Sequence, residues 1–201
     1  DFLDGAICLN TCDHVRRAAD VFTKKSSIPF HGFVSVPRNP RESLFGYYRA
    51  ELENLRLGMQ DHFGVRIGED ELRAAISSSN AVRERLGKIN RLRLEDKPKI
   101  SGADSLAVHI ASQALPPDVF VSMADELISE LEDSPGIDAP AGRLVLIGAE
   151  LHNPHYVEVI EGMGAPVVAD LLCFGARSVL DAIDENSPDP LEAIARRYFF
   201  S

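Results

Sequence analysis

The chain has three cysteines, Cys8, Cys12 and Cys173. Cys12 lies just past the short apolar run Ala6-Ile7-Cys8-Leu9, where a helix is expected to begin, and Cys173 follows the run Val167-Val168-Ala169-Asp170. In open parallel sheets, ligands gather beyond the carboxyl ends of strands. A sulfur at a helix start faces unpaired N–H groups, which favour the thiolate, and the thiolate is what a metal or cluster takes. Gly175 would let the backbone come close to a bulky group, and Arg177 could offset the charge of an anionic centre. Spacing by itself leaves a second reading open. There is no C-x-x-C pair, and two buried cysteines serving as small hydrophobes fit as well. Cys8, inside its apolar run, is assigned to the core.

Other chemistry is thinly represented. The sequence has neither G-x-x-x-x-G-K-[ST] nor G-x-G-x-x-G, so it carries no phosphate-cradling loop of its own, and the chain is expected not to hydrolyse ATP. His152 and His155 form an H-x-x-H pair at a strand end; without further ligands they read as exposed loop residues. Glu150 could act as an acid or base but reads better as a solvated carboxylate. His14, His31, His62 and His109 have no partner identifiable in sequence. No residue is assigned a catalytic role.

These cysteines need elements to position them. Ala6–Leu9 and Ile28–Val36 read as strands around a helix starting near Cys12, with Asn10 or Thr11 as its cap. That order is a βαβ unit. From Pro40 to about Asp133 the period becomes helical: Leu44, Tyr48, Leu52, Leu55 and Met59 form one stripe, ended by Gly64. Leu72, Ile76, Val82, Leu86, Ile89 and Leu92 form another, broken by Pro98 and Gly102. Helices are expected over Asp104–Leu115 and Pro117–Leu131. After a Pro- and Gly-rich connector, short apolar runs return at Arg143–Gly148 and Ala165–Asp170, two neighbouring parallel strands around a helix that Asn153 caps and Pro154 begins. Ala176–Ile183 and Asp189–Phe199 read as helical. The fold class is α/β: Rossmann-like or flavodoxin-like parallel-sheet lobes with a helical middle. Residues 1–39 end an N-terminal lobe, 40–140 connect, and 141–201 start a C-terminal lobe.

Composition sets the outer bounds. The chain has 201 residues, is 45% hydrophobic and 26% charged, and carries a net charge of −10. It can bury a core, and its acidity argues against nucleic acid or an anionic membrane surface as partner. No apolar run reaches the ~18 residues of a membrane helix. An odd, small cysteine count gives no disulfide framework, which suits a reducing cytoplasm. The opening Asp1-Phe2-Leu3-Asp4-Gly5 and the closing Tyr198-Phe199-Phe200-Ser201 both read as cut from a longer protein.

Two stretches go beyond composition. The first is Leu9-Asn10-Thr11-Cys12-Asp13-His14-Val15-Arg16-Arg17, with Pro29-Phe30 and Val34-Ser35-Val36-Pro37-Arg38. The second is Ile147-Gly148-Ala149-Glu150, Tyr156–Glu161, Gly164–Asp170 and Cys173-Phe174-Gly175-Ala176-Arg177. Tyr48–Leu52 and Lys99–Gly102 lie between them. In this order they resemble the iron–sulfur subunits of 2-hydroxyacyl-CoA dehydratases and benzoyl-CoA reductases, and CD-x-x-R and C-x-G-x-R are the most specific elements.

The resemblance implies α/β lobes joined by helices and a [4Fe–4S] cluster held by three cysteines. Cys12 and Cys173 match two of them; the third would lie outside this segment, and Cys8 does not occupy its position. It implies low-potential electron transfer to a CoA thioester, a partner ATPase as activator, and a homologous iron–sulfur subunit alongside. On that reading the two sulfurs face one cleft, brought to one edge by a shared parallel sheet, at ~6–7 Å, the spacing of thiolates on different irons. The alternative is a cluster-free α/β binding or scaffold subunit in which both cysteines are core residues.

Overall fold

The computed structural model describes residues 3–139, 141–179 and 181–200. Chain packing divides it into two units, Asp1–Ile76 with Ile183–Ser201, and Ser77–Ala182. The described residues form seven α-helices and two small parallel sheets, the α/β class expected.

In the first unit, β1 (Gly5–Leu9) and β2 (Phe30–Val34) pair in parallel around α1 (Asp13–Lys25). The register runs from Gly5 opposite Phe30 to Leu9 opposite Val34. Helix α2 (Glu42–Phe63) ends at Gly64, whose φ of 62° is the left-handed cap that glycine adopts without strain. Its stripe packs Phe45 and Tyr48 with Val34, and with Ala195 and Phe199 of α7 (Pro190–Phe199). Tyr48 and Phe199 stack with ring centres 5.3 Å apart. Asp189 caps α7 by accepting the Glu192 N–H at 2.9 Å, with Pro190 next, where its missing N–H costs nothing.

Helix α3 (Glu69–Leu94) belongs to the first unit as far as Ile76 and to the second from Ser77. The second unit continues with α4 (Gly102–Ala114), α5 (Pro117–Asp133), β3 (Leu144–Ile147), α6 (His155–Glu161) and β4 (Val167–Leu171). Leu86, Ile89, Ile100, Phe120, Ala124 and Ile128 form its helical core. Ala103, Leu106, Val157, Val167 and Leu172 form a second cluster between α4, α6 and β4. β3 and β4 are parallel, with one irregularity at Leu144/Val145. Residues 40–133 are thus dominated by helices, and two paired parallel strands lie within 143–171, as the change of period predicts.

Three local expectations are corrected. The described part of 176–183 holds a four-residue 3-10 turn, Ala176–Val179, where an α-helix was expected; Leu180 lies outside the described residues. Helix α6 starts one residue later than expected, with Pro154 at its cap while the Asn153 carboxamide accepts the His155 N–H at 3.0 Å. The cap of α1 is neither Asn10 nor Thr11 but Cys12.

Candidate cofactor site

Cys12 sits one loop beyond β1 with extended backbone (φ −146°, ψ 164°), and its Sγ accepts the Val15 N–H at 3.5 Å. The sulfur takes the role a hydroxyl or carboxylate usually fills at a helix start. Asn10 is used elsewhere: its Oδ1 accepts the Val36 N–H at 2.6 Å, tying the ends of the two strands together. Glu51 of α2 accepts the Ser35 N–H at 2.9 Å. Arg38 donates to Asp13 at 2.7 Å on the surface. Cys12 itself is exposed, and Cys8 is half-buried within β1.

Cys173 is also free and exposed, two residues past β4. Its N–H donates to the Ala149 carbonyl at 3.4 Å, and the Gly175 N–H closes the turn onto Leu172 at 3.1 Å. Beneath the turn lies a buried ion pair. Arg93 Nη2 meets Asp170 Oδ2 at 2.6 Å, and Arg93 Nε donates to the Val168 carbonyl at 3.1 Å. The other carboxylate oxygen of Asp170 accepts the N–H groups of Leu172 at 3.3 Å and Ala176 at 2.9 Å. Burial pushes the Asp170 carboxyl up, but Arg93 and the two N–H groups outweigh it and hold it below the usual carboxylate value.

Gly175 was expected to make room for a bulky group. Its local reason is Asp170: a Cβ on residue 175 would stand 1.8 Å from Oδ1. A similar fit joins the head of β4 to α4. A Cβ on Gly102 would meet that of Val167 at 2.6 Å, and the Glu161 carboxylate accepts N–H groups from Gly102, Ala103 and Val167. β4 is therefore fixed at both ends by carboxylates.

Cys173 lines a cavity of about 230 Å³ with Ser79, Val82, Arg83, Leu86, Gln113 and Phe174 among its walls. Arg83 is nearly buried and donates to Ser79 Oγ. Deeper in the same unit His109 is fully buried, its Nε2 3.1 Å from Asn90 Oδ1. Burial pulls its pKa down to about 4; Asp170 opposes that shift and Arg93 adds to it. His109 is therefore neutral at neutral pH. Its partner was not identifiable in sequence, and Arg93, Asp170 and Glu161 were also missed as site-building residues. The available signal was an aspartate closing an apolar strand run, since a carboxylate there needs a cation.

The remaining candidates stay at the surface. His152 and His155 are exposed, and His155 pairs with Glu158 at 2.9 Å. Glu150 and Arg177 are exposed. Among the described residues, no three His, Cys, Asp or Glu side chains come together as a metal-ligand group, and no helix is long and apolar enough to cross a membrane. Cys12 belongs to the first unit and Cys173 to the second. The shared sheet expected to join them is not present among the described residues: β1–β2 and β3–β4 are separate sheets, because each strand finds its partner across its own short helix. Each cysteine stands at the carboxyl edge of its own sheet.

Two parallel-strand units, each presenting a free cysteine just past a strand end, define an α/β protein equipped to offer thiol ligands. The sequence model of the family described as 2-hydroxyglutaryl-CoA dehydratase, D-component, matches residues 1–201, and the chain belongs to that family. A benzoyl-CoA reductase subunit from Thauera aromatica is 27% identical over 173 residues, covering 85% of this chain and 45% of that protein. The proposed dehydratase subunit YjiM of Escherichia coli (strain K12) is 25% identical over 205 residues, covering 98% of this chain and 52% of that protein. The chain thus spans about half the length of the curated relatives it matches, and an enzyme subunit of the dehydratase or reductase kind is the class these relatives define.

Proposed function

We propose that this chain is the central part of an iron–sulfur subunit of the benzoyl-CoA reductase or 2-hydroxyacyl-CoA dehydratase type, with Cys12 and Cys173 as two of three cysteine ligands to a [4Fe–4S] cluster. The observation that carries the reading is that both thiols are free and exposed at strand carboxyl ends. Soft sulfur donors of this kind suit such a cluster, so the residues present fit two of its positions. The third cysteine lies outside this segment. When bound, the cluster supplies low-potential one-electron transfer to a CoA thioester.

The chain's own residues bind, orient and shield. Cys12 holds its position through the start of α1, and Cys173 through the turn above Asp170. The cavity at Cys173 has apolar walls from Val82, Leu86 and Phe174, which exclude water, and a polar side from Arg83 and Gln113, which orients a carbonyl. Residues 1–39 close one lobe, 40–140 connect, and 141–201 open the next. An ATP-dependent activator delivers electrons, a homologous iron–sulfur subunit sits alongside, and the cytoplasm is the compartment.

The test uses the full-length protein, purified anaerobically. Iron and sulfide should be present in wild type and be lost in Cys12→Ser and in Cys173→Ser. With its activator ATPase, the protein should turn over benzoyl-CoA or a 2-hydroxyacyl-CoA. Iron retained in both variants would refute the ligand assignment, and wild-type protein without iron would leave the cluster-free scaffold as the better reading.

A further inference from the structure

The Arg93–Asp170 pair is costly where it stands. Taking two charges out of water offsets most of their attraction, so a packed apolar pair would stabilise the second unit as well or better. Arg93 and Asp170 are 2% and 5% exposed. What the pair has that an apolar pair lacks is direction. One oxygen of Asp170 holds Arg93, and the other accepts the N–H groups of Leu172 and Ala176, one on each side of Cys173. Arg93 also grips the Val168 carbonyl two residues before Asp170. The clearance at residue 175 admits only glycine while the carboxylate stays in place. The bonds converge on one short segment, and that segment presents a thiol.

We infer that Asp170 and Arg93 are positioning residues for the Cys173 thiol: the buried carboxylate sets the shape of the 171–176 turn, and Arg93 sets the carboxylate. This rests on the proposed role of Cys173 as a ligand. It adds that the ligand is preorganised from below by a charge pair that touches neither cluster nor substrate. Supporting groups of this kind typically alter metal affinity 10- to 100-fold when removed.

The experiment uses the full-length protein and three readouts. In the cluster-free form, peptide-resolved alkylation of Cys173 by iodoacetamide is followed across neutral to alkaline pH. In the loaded form, iron release to a chelator and the EPR spectrum of the reduced cluster are followed. Asp170→Asn should displace the Cys173 alkylation profile, speed iron release roughly 10-fold or more and change the EPR line shape. Ile128→Ala, a core truncation in the same unit, should lower the melting temperature yet leave all three at wild type. If Asp170→Asn does not fold, Gly175→Ala replaces it: the added methyl pushes the turn off an intact ion pair and should produce the same changes. Wild-type behaviour in the turn variants, or the same changes in Ile128→Ala, would overturn the inference. Wild-type protein without iron, or Cys173→Ser protein that keeps it, would sink the ligand assignment instead, and the alkylation profile would still decide the role of the pair.

Discussion

Near Cys12 the ion pair Arg38–Asp13 has side chains 77% and 76% exposed, whereas near Cys173 those of Arg93 and Asp170 are 2% and 4% exposed. Both cysteines follow a parallel strand, yet they are held in opposite ways. Cys12 is fixed by the backbone of the helix it caps, with neutral side-chain help from Asn10 and a surface charge pair. The Cys173 turn has no such helix, only a four-residue 3-10 turn, and takes its shape from a buried carboxylate. Where a helix start can hold a thiol, surface groups suffice. Where it cannot, the fold accepts a buried charge.

The largest expected break in this contrast is Arg93→Met. Removing the cation strands Asp170 without a counter-charge, at about 3–5 kcal/mol, read by denaturant unfolding. A loss below 1 kcal/mol would mean that the second unit does not depend on the pair.

Next is the acid response of the same region. The native pKa of His109, about 4, lies below the ordinary 6.5, so the folded state binds fewer protons than the unfolded chain. The stability this contributes is present above pH 6.5 and declines as pH falls toward 4, by up to about 3 kcal/mol. His109→Gln should flatten that part of the stability–pH curve. A curve unchanged by the substitution would show that other groups set the acid limb.

Smaller effects are expected at Cys12. Serine is a better N-cap than cysteine, so Cys12→Ser should leave the melt unchanged or raise stability by a few tenths of a kcal/mol, while Cys12→Ala should cost about 1 kcal/mol. Equal losses from both would show that the sulfur, not the cap, matters to folding. Arg38→Met should be smallest, within about 0.5 kcal/mol, because an exposed pair contributes little. A loss as large as that of Arg93→Met would erase the contrast between the two loops.

Much of the scaffold was legible because periodicity is a local property. The stripe from Leu44 to Leu55, Gly64 as a stop and the apolar run Val167–Ala169 each declare their element within a few residues. The Cys12 loop was legible for the same reason, except that the cap proved to be the cysteine itself. What sequence did not disclose was long-range pairing. Arg93 lies on a helix rich in arginines, and nothing local marks it as the one buried against Asp170. Gly175 was noticed, but its reason, the oxygen of Asp170, appears only once the turn has closed. His109 sat on a helical stripe without a visible partner, because Asn90 comes from another helix.

The first unit is discontinuous along the chain: its core needs Ala195 and Phe199, and the whole second unit intervenes. During synthesis this has a consequence in time. Phe45, Tyr48 and Val34 leave the ribosome roughly 150 residues before the helix that covers them, a wait of about 7–30 s at ordinary elongation rates. The second unit, continuous in sequence, can form in that interval. The first unit therefore matures last although it begins first, and it spends the interval with an aromatic face open to chaperones. Nascent chains arrested after Ala182 should show protease protection of α4 and α5 before α2; protection of α2 at that length would contradict this order.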